Sequence, residues 1–344
     1  DAAPADAFRV GEALPPAARP LLRDLGVLER FQADGHLPCW GNVSAWGSGG
    51  PRVHDHVFDP HGHGWHLDRA RFDALLRDAA AGAGAEVVAG AEVVEAKRAD
   101  GGWIVQLRDG GGTRVIHAGW LVDATGRRSA VARRQGAVRV PADGLVAFWA
   151  RFRPSAEGDR DARTVVEAAP DGWWYTALVP SGERVAAFLT DGDLADRAAL
   201  LSPGTFAARA RETALVGGIL AARGYGIHGR PRGSGAGSAR LDRCAGEGWA
   251  AVGDAALSFD PLSSQGILNS LYTGVRAGQA IDRALGGDPD GIAEYVRRVD
   301  QVYAAYLRNR LAYYAAETRW ADRPFWRRRS GAESTAETVA SASG

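Results

Sequence analysis

The stretch Ala250-Ala251-Val252-Gly253-Asp254-Ala255-Ala256, followed by Asp260-Pro261-Leu262-Ser263-Ser264-Gln265-Gly266-Ile267, decides the fold. Its apolar start reads as a short strand ending at Gly253-Asp254. A Pro261-containing loop follows, and Gly266 opens a helix running to Leu285. Gly253 has no side chain, so a ligand can approach the backbone there. The Asp254 carboxylate at the strand end can accept hydrogen bonds from a polyol. The amides around Gln265, Gly266 and Ile267 lie at a helix N-terminus, where the helix dipole favours negative charge.

Outward from this stretch, 344 residues at roughly 150 per domain predict about two domains. The 46% hydrophobic and 24% charged content is that of a globular chain with a core. Forty-one basic and 41 acidic residues cancel, so general nucleic-acid binding is not expected and any basic patch is local. Two distant cysteines, Cys39 and Cys244, exclude a disulfide framework and a multi-cysteine zinc site. No 18-residue apolar run and no signal-peptide pattern occur, so a cytoplasmic protein without a membrane span is expected.

Leu21, Leu22, Leu25 and Leu28 predict a helix from near Pro15, and a second helix is expected over 68–83. Segments 85–89, 92–98, 103–107 and 113–117 read as strands between Gly turns. From about Pro141 the texture becomes antiparallel: 144–152, 164–168, 173–180 and 184–190 read as strands, then a helix through 206–220. An amphipathic helix over 290–319 is predicted to turn Ile292, Tyr295, Val299, Val302, Tyr306 and Tyr313 inward. The tail from 330 to 344 lacks periodicity and reads as disordered.

The 250–267 stretch resembles the second FAD fingerprint of class A flavoprotein monooxygenases and their halogenase and reductase cousins. Gly11-Glu12-Ala13-Leu14-Pro15-Pro16, Gly64-Trp65-His66-Leu67-Asp68-Arg69, Val122-Asp123-Ala124-Thr125-Gly126 and Glu317-Thr318-Arg319-Trp320 resemble further family segments. With Trp46-Gly47-Ser48, the pattern is most similar to the maturation flavoproteins of lysine and glycine oxidases and of quinohemoprotein amine dehydrogenase. The resemblance implies an α/β fold: a Rossmann-like FAD-binding domain from 1–140 and 240–290, an antiparallel-sheet substrate domain from 141–239, and a C-terminal helical segment from 291–329. The family's opening strand, its Gly-x-Gly-x-x-Gly turn and its acidic ribose ligand are not in this sequence.

The same resemblance assigns roles. Arg69 is expected to meet the ribityl or pyrophosphate of FAD, and Val93 to lie where the family's backbone holds adenine. Asp254 would bind a ribitol hydroxyl. Gly266 and Ile267, with Gly253, Pro261 and Gln265 around them, would face the flavin's pyrimidine edge, where a reduced flavin carries its charge. Asp123 and Gly126 would shape the turn beneath the flavin.

Six of eight histidines fall between His36 and His66. His-x-His pairs put two imidazoles on one side, but no third ligand is specified and no metal is expected. His66, beside Arg69, is expected in the active-site cavity as a proton-exchanging group. On the strand around Trp173-Trp174-Tyr175, Trp173 and Tyr175 share one face and, with Trp40, Trp46 and Trp65, are candidates to hold an aromatic substrate.

The implied activity is a monooxygenase: FAD reduced by NADPH or NADH reacts with O2, and a C4a-hydroperoxyflavin hydroxylates an electron-rich aromatic group, such as a peptidyl tryptophan in quinone-cofactor maturation. A halogenase fits less well, because the family's halogenases use an active-site lysine and a Trp-x-Trp-x-Ile-Pro motif, whereas Lys97 is the only lysine here. A non-catalytic, flavin-containing maturation factor is the third reading.

Overall fold

The computed structural model describes residues 8–47, 50–99, 101–155, 159–288 and 290–330. Ser48 and the tail from 331 to 344 lie outside the described residues. The chain is a mixed α/β fold built around a seven-stranded sheet. Its order is Gly226–Gly235, Leu145–Arg153, Arg184–Asp191, Gly172–Leu178, Thr164–Ala169, Gly41–Ala45 and Arg52–Asp55. All neighbours are antiparallel except Thr164–Ala169 with Gly41–Ala45. All eight residues of Arg184–Asp191 are buried. That is why the strand reads as a nearly continuous apolar run rather than an alternating one: both faces are covered.

One face carries Phe148, Phe152, Trp174 and Phe188, packed under Phe206, Val216 and Leu220 of two short helices. These helices, Pro203–Arg211 and Leu215–Ala222, replace the single one expected. The break is held by Glu167, whose carboxylate accepts the Ala214, Leu215 and Val216 amides at 2.8–2.9 Å and so caps the second helix. The opposite face carries Ala147, Trp149, Trp173 and Leu189 against Tyr314, Phe325 and Trp326 from the C-terminal segment.

The quoted stretch forms the strand Trp249–Ala251, parallel to Leu121–Asp123, and the 20-residue helix Gly266–Leu285. A separate antiparallel meander joins Glu92–Ala99, Gly102–Asp109 and Gly112–Ala118. Among the described residues, no helix is long and apolar enough to cross a membrane.

Several local expectations change. Residues 85–89 are irregular. The first helix is two, Ala18–Asp24 and Leu28–Ala33, because Gly26 takes φ +68° between them, and Leu25 faces solvent. Gly41–Ala45 and Arg52–Asp55 join the large sheet although Gly and His content gave no strand signal there. The long helix runs Asp290–Ala315 and buries Tyr314 rather than Tyr313. Tyr306, Arg310 and Tyr314 follow each other at i+4 and stay on one face, which leaves Tyr313 outside.

Candidate functional site

A cavity of roughly 650 Å³ lies between the large sheet and the N-terminus of helix Gly266–Leu285. Its walls come from six places in the chain: the Val10–Ala13 segment, the helix starting at Arg69, Arg127, the sheet face, the Asp254–Gly266 loop, and Ile267, Ser270 and Leu271. Arg69, Tyr175, Asp254, Pro261, Gln265, Gly266 and Ile267 therefore meet in one space, although up to 198 positions separate them (267 − 69).

Part of the lining is charged. Arg127 sits 3.4 Å from Asp254 Oδ2 and donates to the Phe259 carbonyl at 3.1 Å. Arg139 donates to the Asp254 carbonyl at 3.0 Å. The Asp254 carboxylate opens to the cavity but is crowded by protein elsewhere. Burial raises its pKa, against the pull of Arg127, Arg139 and Arg69. Arg69 is tied to Asp73 at 3.3 Å and donates to the Gly11 carbonyl at 2.9 Å, so it also clamps the Val10–Ala13 segment. The helix at Gly266 has no side-chain cap and no acidic residue in its first turn, which leaves its N-terminal dipole unopposed toward the cavity.

Aromatic and apolar residues of the sheet form another part of the wall, beside the Glu12 carboxylate. Trp149, Ala187 and Tyr175 form one row across three strands, with the small alanine between two rings. Tyr175 donates from its hydroxyl to Glu12 Oε1, and the Gly11 amide donates to Glu12 Oε2 at 3.0 Å. Burial raises the pKa of Glu12, opposed by its hydrogen bonds and Arg69. Burial and the neighbouring Glu12 also push the Tyr175 phenol well above its ordinary value.

Other expected site residues are elsewhere. His66 does not line the cavity; it is fully buried. Its Nδ1 donates to the Leu178 carbonyl at 2.8 Å, which leaves Nε2 to accept from Thr164 Oγ1 at 2.8 Å. Burial lowers its pKa to about 4. His66 is thus a neutral core imidazole, and the expectation of a proton-exchanging cavity histidine is corrected.

This has a consequence for acid stability. The folded pKa lies below the ordinary 6.5, so the contribution of His66 is complete above pH 6.5. It is lost as pH falls toward about 4, by on the order of 3 kcal/mol. Urea unfolding of the wild type and of His66→Gln across that window should show a steeper loss in the wild type. Parallel pH dependences would refute this.

Trp173 is likewise corrected. It shares the face of Tyr175 but lies under the C-terminal segment, fully buried, with its Nε1 donating to the Tyr314 hydroxyl at 3.0 Å. Tyr314 in turn donates to Asp260 Oδ2 at 2.7 Å. Trp173 therefore braces the loop before Pro261 rather than meeting a ligand. Trp40, Trp46 and Trp65 also lie outside the cavity. Val93 sits on the separate meander, packed against a core containing Trp103 and Val105, and does not reach the cavity.

Asp123 is buried and does not line the cavity. Its carboxylate accepts from the Thr125 amide and hydroxyl and from the Val131 and Ala132 amides at 2.7–2.9 Å. Gly126 takes φ +65° and Gly253 φ +55°. Gly253 donates its amide to Thr273 Oγ1 at 2.7 Å, and a Cβ there would stand 2.7 Å from Ser270 Oγ. Among the described residues, no group of three or more His, Cys, Asp or Glu side chains is placed to hold a metal ion.

Glu12, Arg127, Trp149 and Ala187 line the cavity without having been singled out. Glu12 and Arg127 had a signal, being inside or next to the quoted Gly-Glu-Ala and Asp-Ala-Thr-Gly segments. Trp149 and Ala187 had none.

The site and the fold define a family. The tryptophan halogenase model matches residues 50–342, and the chain belongs to that family of FAD-dependent flavoenzymes. It is 29% identical over 311 residues to LodB of Marinomonas mediterranea, named as an FAD-dependent oxidoreductase, covering 89% of this chain and 82% of LodB. The flavin-dependent halogenase CmlS superposes with TM-score 0.81 at 25% identity, over 94% of this chain and 61% of CmlS. The peptidyl tryptophan dihydroxylase QhpG, essential for tryptophylquinone cofactor biogenesis, superposes with TM-score 0.73 at 27% identity, over 93% of this chain and 70% of QhpG.

The cavity's donor set fits part of an FAD. Asp254 offers an acceptor for polyol hydroxyls, Arg69 and Arg127 offer positive charge, and the uncapped helix start at Gly266 borders the cavity and favours an anion. Ile267, Leu271, Leu189 and Ala236 supply apolar walls for a planar ring.

Proposed function

We propose that this protein is an FAD-dependent monooxygenase that hydroxylates an electron-rich aromatic group, with a peptidyl tryptophan as the favoured substrate, using O2 and a reduced nicotinamide. Bound FAD would supply the redox chemistry. The chain's own residues would hold it: Asp254 at the ribitol, Arg69 and Arg127 at anionic groups, Gly266 and Ile267 at the pyrimidine edge. Residues 1–140 and 240–290 would form the cofactor half, 141–239 the substrate half and 291–329 the brace behind it.

The observation that carries hydroxylation over halogenation is the absence of a lysine from the cavity lining. Lys97 is 68% exposed on the separate meander, paired with Glu95 at 2.9 Å. The cavity instead presents Tyr175 and Glu12. An aromatic carbon that gains oxygen must lose its proton. Glu12, whose pKa burial raises, would accept that proton at Oε1 through the Tyr175 hydroxyl, which passes on its own proton and takes up the one from the ring. Trp149 and Tyr175, two strands apart at about 4.8 Å per strand, flank a slot over Ala187 that suits an indole or phenol ring.

With a reduced nicotinamide and an indole-bearing peptide, the protein should consume O2 and form an oxygenated product without halide. Strict dependence on chloride or bromide would overturn the reading. Asp254→Ala should weaken FAD binding about tenfold, because it removes one or two hydrogen bonds worth about 1 kcal/mol each. Titration of the apoprotein followed by flavin fluorescence checks this, and an unchanged affinity would remove Asp254 from the cofactor site.

A further inference from the structure

Strand Gly226–Gly235 is the edge of the seven-stranded sheet, and it runs from the cavity outward. Ser234 and Gly235 line the cavity, and both are exposed. Ser234 pairs with Ala147, Arg232 with Trp149 and His228 with Arg151. Ser234, Arg232 and His228 therefore stand on the face that carries the cavity, and Arg230 lies between the last two, where the register shifts and the strand bulges. The Arg232 guanidinium lies 5.7 Å from the ring centroid of Trp149, itself a cavity wall.

The two edge strands are strongly basic here. Arg151, Arg153, His228 and Arg232 share the face and Arg230 lies in the bulge between the last two, and among the described residues Glu183 is the carboxylate that meets Arg151, Arg153 and His228. Glu183 is buried and is taken up by Arg151 at 3.1 Å, Arg153 at 3.2 Å and His228 at 2.7 Å. Arg230 and Arg232 are exposed and have no ion-pair partner among the described residues. In a chain of zero formal net charge, this is a local concentration of positive charge.

The backbone beside it is also open. Natural edges are commonly blunted by charges and proline, and Pro231 does this at one point. From Arg232 to Gly235, however, two of four residues are glycine and all four are exposed, and among the described residues no further strand pairs with their outer edge.

We propose that this edge and its arginine row dock an acidic, extended polypeptide segment, which adds as a strand beside Arg232–Gly235 and turns an aromatic side chain into the cavity at Ser234. The inference rests on the reading of a peptidyl substrate above. Strand addition supplies main-chain hydrogen bonds, Arg230 and Arg232 supply charge complementarity, and the edge leads directly to the Trp149–Tyr175 slot.

The test uses the FAD-loaded protein and a fluorescein-labelled twelve-residue peptide with one tryptophan flanked by Asp and Glu. Fluorescence anisotropy should show binding that Arg230→Glu/Arg232→Glu weakens at least tenfold and that rising salt weakens. Arg297→Glu/Arg308→Glu, an equal charge change on the exposed face of helix Asp290–Ala315, should leave binding unchanged. Backbone N-methylation of alternate peptide residues should weaken it about tenfold.

Equal binding by the Arg230→Glu/Arg232→Glu variant, by a lysine-for-acid peptide or by the N-methylated peptide overturns the proposal, as does no binding at all. Association of a second copy of the chain at this edge, seen as a dimer that the same variant dissolves, also overturns it. Hydroxylation of the peptide with a KM indifferent to the arginines would refute the docking surface and keep the activity. Binding as expected without hydroxylation would refute the activity and keep the docking surface.

Discussion

Glu12→Gln is expected to slow aromatic oxygenation by two to four orders of magnitude, the range spanned by loss of a positioned acid–base group. Glutamine fills the same space and can still accept from the Gly11 amide or the Tyr175 hydroxyl, so the fold should survive. What it cannot do is take a proton at Oε1. Tyr175→Phe, which removes the relay while leaving the ring, should show a loss in the same range. Burial raises the pKa of Glu12, so wild-type turnover should fall as the pH drops through that raised value, and the Gln variant should lose this acid limb. Single-turnover product formation by the pre-reduced enzyme across pH reads both effects. An unchanged rate, or an acid limb that survives in Glu12→Gln, would exclude the pair from proton transfer. Oxygen uptake without product in the variants would place the defect after reduction and at the substrate.

The second large effect is on stability. Asp123→Ala should destabilise the protein by about 3–5 kcal/mol. The carboxylate is fully buried and is shared by the Thr125 amide and hydroxyl and the Val131 and Ala132 amides. Alanine would leave these donors unpaired at the start of the Ala130–Arg134 helix, where no side chain of the helix itself caps them. The damage would reach the cofactor side because Asp123 pairs in register with Ala251, two residues before Gly253. Urea denaturation measures this directly, and a loss below about 1 kcal/mol would show that water or a backbone shift replaces the carboxylate. Asp123→Asn, which keeps an acceptor but adds a donor pair facing donors, should fall between the two.

Legibility in the sequence followed the range of the interactions. The strand–turn–helix at 250–267 is local: Gly, Asp, Pro and Gly at fixed offsets dictate backbone geometry within a few residues. Asp254, Gly266 and Ile267 could therefore be picked out together, and the structure brings them to one cavity. The turn at Asp123 and Gly126 is local in the same way, because the carboxylate bonds to amides no more than nine residues away, although neither residue lines the cavity. The family fold was legible for the same reason, through short motifs with strong backbone demands.

His66 and Trp173 show where that reasoning stops. A histidine three residues from a cavity arginine looks the same in sequence whether its ring faces the cavity or the core. Its direction was decided by Leu178 and Thr164, about a hundred residues away, which bind both ring nitrogens. Trp173 and Tyr175 alternate correctly onto one sheet face, but only the C-terminal Tyr314 and Trp326 decide that the first is covered and the second open. The seven-stranded sheet itself recruits Gly41–Ala45 through a parallel pairing across more than a hundred residues, which no local pattern announces.

By itself, then, the sequence determined the features that backbone sterics and short-range hydrogen bonds control: the strand–turn–helix at 250–267, the antiparallel middle and the family. The tertiary structure alone decided which side chains share the cavity. Glu12 and Tyr175 are bonded across 163 positions, and Trp149 and Ala187 both line the cavity because sheet register aligns them. The basic row borders the cavity because Gly226–Gly235 is the last strand of the sheet. Such contacts depend on strand order and on which face the C-terminal segment covers, and the free energy that selects them is burial summed over the whole core rather than the preference of any one residue.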